Sequence, residues 1–124
     1  MAEKIVKTAL QNEHPTFPKA EDILAIVGIE SSFNPSVKSQ LKHDPAVGLM
    51  QVRPGIWDID PTKLSTIENQ IKVGANILAA YYSKLKSPDG AVHSYNIGIT
   101  NYNKKKGLNP GYVQKYKTDL KLYK

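Results

Sequence analysis

The stretch Ile26-Val27-Gly28-Ile29-Glu30-Ser31 sets a carboxylate at the end of an apolar run. Glutamates are seldom buried without a partner, so an acid in such company points to a pairing or to a chemical task. The chemistry open to it is proton transfer. Burial penalises the ionised form, raises the pKa and keeps a proton available near neutral pH. An acid of that kind can protonate the bridging oxygen of a glycosidic bond. Hydrolysis of such a bond ordinarily needs a second carboxylate, as nucleophile or as base for water. Asp44, Asp58 and Asp60 are the acids of the following loop region that could serve. The chain has no cysteine, which excludes disulfides and thiolate metal sites. His14, His43 and His93 have no metal-ligand spacing with one another or with neighbouring acids. They read as structural or solvent-facing, and neither a metal nor a cofactor is expected.

Helical spacing is what aims the acid. Ile23, Ile26 and Val27 follow the i, i+3, i+4 pattern, and position i+7 is Glu30, so the carboxylate shares the core-facing stripe. Its helix starts near Pro18 or Lys19, with Glu21 and Asp22 in the first turns, where negative charge is favourable. Ahead of it, Ile5, Val6 and Leu10 predict a short first helix, ended before the turn His14-Pro15-Thr16-Phe17-Pro18. From Phe33 to about Ser65 the chain is rich in Pro, Gly, Asn and Asp without sustained periodicity. That segment reads as loops, short helical turns or a small irregular β region, and such long connections are often functional. Ser65-Thr66-Ile67-Glu68 has capping-box spacing and opens a long helix through Ile71, Gly74, Ile77, Leu78, Tyr81 and Leu85. Gly74 weakens that helix by about 1 kcal/mol relative to alanine, which suggests a close crossing there. A fourth helix is expected over Ala91 to Tyr95 or Asn96, ending near Gly98. Asn109-Pro110 reads as a cap and first-turn proline for a last helix, with Val113, Tyr116, Leu120 and Tyr123 on one side. The fold class is therefore mostly α, a single domain over residues 1–124 without repeats or low-complexity linkers.

Four blocks occur in order along these elements: Glu30-Ser31, Gly48-Leu49-Met50-Gln51, Ser94-Tyr95-Asn96 and Tyr112-Val113. Together they resemble the lytic transglycosylases of the soluble-lytic-transglycosylase family, which share the lysozyme-like fold with goose-type lysozymes. The family pattern has alanine where this chain has Ser94, the one visible departure within the blocks. The resemblance runs from about Ile23 to Tyr116 and takes in Asn34-Pro35 and Asn76-Ile77-Leu78. It implies a lysozyme-like domain that cleaves the β-1,4 bond between N-acetylmuramic acid and N-acetylglucosamine, with Glu30 as sole acid and then base. None of the three loop aspartates belongs to the shared pattern. In the implied reaction the muramic C6 hydroxyl closes onto C1 and leaves a 1,6-anhydro end. The resemblance further implies that Ser31 bonds near the sugar or helps hold the glutamate, and that Met50, Gln51, Tyr95 and Asn96 line the subsites. Gly48 would permit close backbone approach to a glycan, and Tyr112 would orient the catalytic carboxyl. Tyr81 and Tyr82 could stack on sugar or fill the core, and Trp57 reads as core.

At 124 residues the chain can bury roughly two-thirds of its unfolded surface, enough for a core without staples. Seventeen basic residues against eleven acidic ones give a formal charge of +6, which favours a polyanionic partner: nucleic acid, membrane or wall polymer. The run Lys104-Lys105-Lys106 reads first as a solvated loop. No apolar run approaches the ~20 residues that span a bilayer, so stable membrane insertion is not expected. A DNA-binding reading would leave Glu30-Ser31 and Gly-Leu-Met-Gln without a role, so peptidoglycan is the expected partner and nucleic acid is not. A water-using muramidase and a silent wall-binding module are the alternatives. The start Met1-Ala2-Glu3-Lys4-Ile5-Val6-Lys7 is too polar for a secretory apolar region. Action in the cell wall or periplasm would then require delivery by a phage particle, a holin or a secretion apparatus, or membership of a longer chain. A monomer is expected, alone or within a larger machine.

Overall fold

The computed structural model describes residues 1–40 and 42–123. Among them are six α-helices: α1 (Ala2–Gln11), α2 (Ala20–Ser31), α3 (Ile67–Leu85), α4 (Pro88–Ile97), α5 (Ile99–Asn103) and α6 (Pro110–Leu120). The mostly α expectation holds. Helix α3 packs against α1 and α4, and α2 packs against α6. Ile23, Ile26, Leu49, Met50, Ile71 and Leu78 are fully buried where these elements meet. No helix of the described residues is long and apolar enough to cross a membrane.

Helix α1 turns a different face inward from the one its apolar residues suggest. Ile5, Thr8 and Ala9 are buried, whereas Val6 and Leu10 are 42% and 56% exposed. Thr8 tolerates burial because its hydroxyl donates to the Lys4 carbonyl at 2.7 Å.

Helix α2 is fixed to α6 by two phenol–carboxylate bonds. Asp22, in the first turn of α2, accepts from the Lys19 N–H at 2.8 Å through one oxygen and from the Tyr116 hydroxyl at 2.5 Å through the other. Two turns further on, Glu30 accepts from the hydroxyl of Tyr112. Tyr112 precedes Tyr116 by one turn, so the helices run antiparallel with a carboxylate–phenol contact at each end. Asp22, expected only as a helix-start charge, also sets the register of α6.

The region expected to be irregular is so. It contains two isolated antiparallel bridges, Lys38 with Val47 and Val47 with Val52, followed by a short 3-10 turn at Pro61–Leu64. The cap of α3 lies one residue later than the capping-box spacing suggests. Thr66 Oγ1 accepts from the Asn69 N–H at 3.1 Å, while the Ser65 hydroxyl donates to the Thr62 carbonyl at 2.8 Å. Glu68 instead pairs with Lys4 at 3.2 Å.

Gly74 does mark a close approach, and the partner is the Met50 side chain. A Cβ at position 74 would sit 2.3 Å from the Met50 sulfur. Helix α4 begins a turn earlier than expected, with Ser87 capping the Gly90 N–H at 3.0 Å ahead of Pro88. Gly98, at φ +87°, ends α4 and starts the five-residue α5, which the periodicity does not reveal. Asn109 caps α6 as expected, its Oδ1 accepting from the Tyr112 N–H at 3.3 Å.

Candidate active site

Glu30 occupies the last turn of α2, just before Ser32 and Phe33 take left-handed conformations and turn the chain away. Helix geometry presents it toward the core, yet it is only half-buried because the helix ends there. Burial raises its pKa above the ordinary carboxylate value, and the Tyr112 hydroxyl bond partly opposes that rise. The phenols of Tyr112 and Tyr95 are pushed well above their usual value, first by burial and then by the charge of Glu30. Both therefore remain protonated donors at any working pH.

The second block forms the support beside the acid. Gly48, at φ +80°, takes a conformation that L side chains rarely adopt, and its N–H donates to the Val37 carbonyl at 2.8 Å. A Cβ there would collide with the Gln70 side chain at 2.4 Å, so the close approach that requires glycine is made by a protein group. Gln70, 4% exposed on α3, holds the whole turn. Its Oε1 accepts from the Leu49 N–H at 2.9 Å, and its Nε2 donates to the carbonyls of Leu64 and Pro35 at 3.0 and 3.2 Å. The Tyr95 hydroxyl donates to the Met50 carbonyl at 2.5 Å, which joins the second block to the third. Gln51 Nε2 donates to the Val37 and Gly48 carbonyls at 3.0 and 2.9 Å, which locks the amide without engaging its Oε1.

A groove of about 360 Å³ runs past these groups. Glu30, Gln51, Tyr95 and Asn96 line it. Asn96 is exposed, and its Oδ1 accepts from Asn109 Nδ2 at 3.0 Å. Tyr112, 8% exposed, is not among the lining residues and touches the groove only through its bond to Glu30. Ser31, Gly48 and Met50 are also absent from the lining. Ser31 is buried and its hydroxyl donates to the Val27 carbonyl at 3.0 Å; Met50 is wholly buried and contributes its carbonyl.

Trp57, Tyr81 and Arg53 are among the further lining residues. Trp57, read as core, is half-buried with a side on the groove, and its ring meets Tyr81 edge-on at 5.6 Å. Tyr81 lines the groove as well, so the two form an aromatic wall. Arg53 carried no sequence signal beyond lying two residues past Gln51. The loop aspartates stand elsewhere: Asp44 accepts from the N–H groups of Gly55 and Ile56, Asp60 caps Thr62, and Asp58 is exposed. Glu30 is the one carboxylate among the described lining residues. His14 bonds Asn76, and His93 accepts from the Asn109 N–H. Among the described residues no group of three or more His, Cys, Asp or Glu could hold a metal ion.

Comparison with known proteins gives a family and a fold. Residues 12–117 match the family described as the transglycosylase SLT domain. The 70 kDa soluble lytic transglycosylase of Escherichia coli has a similar fold, with a TM-score of 0.66 and 23% identity over 95% of this chain. The same enzyme in complex with bulgecin A superposes with a TM-score of 0.66 and 22% identity. In both cases the chain spans 20% of the larger protein. No curated protein matches in sequence.

Proposed function

The chain belongs to the transglycosylase SLT-domain family and has its lysozyme-like fold, and on that premise we propose that it is a peptidoglycan lytic transglycosylase. Glu30 is the general acid and base. With its proton retained by burial, it protonates the bridging oxygen between N-acetylmuramic acid and N-acetylglucosamine, and the C1–O bond breaks as oxocarbenium character develops. The resulting carboxylate is held by the Tyr112 hydroxyl, a donor already in place for the anion. It then takes the proton of the muramic C6 hydroxyl as O6 bonds to C1, which closes the 1,6-anhydro ring and restores the acid. No protein nucleophile is required, because the attacking hydroxyl belongs to the same sugar and acts at high effective concentration.

The observation that carries this reading is a groove whose described lining residues include a single carboxylate, half-buried and bonded to a phenol, with each loop aspartate outside the lining. Around it, the free Oε1 of Gln51 can accept from a sugar hydroxyl or acetamido N–H, and the Tyr95 oxygen can accept after donating to Met50. Trp57 and Tyr81 offer apolar faces to pyranose rings. Mass spectrometry of fragments released from purified sacculi tests the proposal. Anhydro ends, one water lighter than reducing ends, are expected; reducing ends throughout would replace it with hydrolysis.

A further inference from the structure

Arg53 is the one cation among the described residues lining the groove of Glu30. It follows Val52, where the second isolated bridge pins the backbone. The side chain is aimed from its inner edge: Nε donates to the Asp44 carbonyl at 3.0 Å and lies 3.5 Å from Asp44 Oδ2. Asp44 is itself fixed, because its two carboxylate oxygens accept from the N–H groups of Gly55 and Ile56 at 2.7 and 3.1 Å. Its charge is thus shared with two amides. Asp44 brackets the guanidinium without occupying its outer fork, and the side chain remains 42% exposed.

A guanidinium held by one edge and open at the other presents two parallel N–H donors, the shape that receives a carboxylate in bidentate fashion. Glu30 is not that carboxylate: the ion pair that Arg53 makes among the described residues is with Asp44, and Glu30 accepts from Tyr112. Hydroxyls and acetamido groups need no fixed cation, whereas an anionic substituent does. In peptidoglycan the glucosamine unit is neutral, and the muramic unit carries a lactyl ether. That ether ends either in a free carboxylate or, where a peptide is attached by an amide, in a stem bearing carboxylates of its own. We propose that Arg53 is a specificity-determining residue that binds a carboxylate on the muramic substituent, so that the groove prefers an anionic glycan to a neutral one of equal length. This inference rests on the groove being a peptidoglycan site.

Calorimetric titration in the Glu30→Gln background, where nothing is turned over, tests it with three probes. These are tri-N-acetylchitotriose, a stem-free muramic oligosaccharide with free lactyl carboxylates, and the same oligosaccharide carrying peptide stems. Adding Arg53→Gln is expected to weaken at least one acidic probe by about tenfold and to leave the neutral trisaccharide within about twofold. Arg53→Lys should recover part of the loss, because it keeps the charge without the fork. Loss on both acidic probes identifies the lactyl or stem carboxylate as interchangeable ligands; loss on one identifies that source. An equal loss on the neutral probe, or none on either acidic probe, overturns the inference, as does failure of all three to bind. Wild-type protein that discriminates through Arg53 but releases nothing from sacculi would sink the proposed activity and leave this binding role standing.

Discussion

Tyr112→Phe removes one oxygen and keeps a ring that is 8% exposed. In the wild type that hydroxyl donates to Glu30 Oε2 and holds the carboxyl's pKa down against the burial that raises it. Its removal takes a donor from the anion, so the acid keeps its proton to higher pH. A hydrogen bond to a charged group contributes about 1.5–3 kcal/mol, and a tenfold change in protonation corresponds to ~1.4 kcal/mol. Part of the bond survives with the neutral acid, so the alkaline limb of the pH–rate profile should move upward by about one pH unit. Maximal turnover should fall by about tenfold, because the carboxyl loses the group that orients it and that receives its charge after proton transfer. Stability moves consistently. The folded state holds the Glu30 proton more tightly than the unfolded chain, so this contribution is complete below the ordinary value of 4.5 and is lost as pH rises through the raised folded value. The variant, whose folded value is higher still, should therefore lose stability relative to wild type as pH rises from the wild-type folded value to its own. Rates of fragment release from sacculi and chemical denaturation, each measured across pH, provide the test. A limb that shifts downward, or one that stays put with turnover intact, refutes the reasoning.

Other substitutions probe the support beneath the groove. Gln70→Leu strips partners from the Leu49 N–H and from the carbonyls of Pro35 and Leu64, and should cost about 2–4 kcal/mol in denaturation while raising amide exchange at Leu49. Gly74→Ala gains helix propensity but places a Cβ 2.3 Å from the Met50 sulfur. A net loss of about 1–2 kcal/mol is expected, smaller in a Met50→Ala background, where the sulfur and its methyl are gone and only the Cβ contact at 2.9 Å remains. Ser94 Oγ is buried without a hydrogen-bond partner among the described residues. Ser94→Ala should thus raise stability by about 1 kcal/mol, read as a higher Tm, with turnover unchanged.

How far the sequence carries depends on whether the signal is local. Glu30 is legible because helical periodicity alone places it with Ile23, Ile26 and Val27, and Asn109-Pro110 is legible because a cap acts within one turn. The cap of α3 is displaced by a residue because Ser65 and Thr66 are adjacent hydroxyls and only tertiary geometry selects between them. Gln70 escapes notice: it is a polar residue among apolar helix positions, and its three partners lie in segments far apart in sequence. Trp57 is misread because a ring that packs against Tyr81 and also faces a groove has the same sequence signature as a core ring. Gly48 and Met50 belong to the recognisable block, yet each meets the protein itself, through Gln70 and through Gly74 and Tyr95. Arg53 could be found only once the loop was folded around Asp44.

The decisive comparison is turnover of purified sacculi by wild type and Glu30→Gln, both shown to be folded by their thermal transitions. Loss of the one carboxyl among the described groove residues should lower the rate of fragment release by about a hundred- to ten-thousand-fold. A folded Glu30→Gln protein that releases fragments at nearly the wild-type rate would contradict the assignment of proton transfer to this residue.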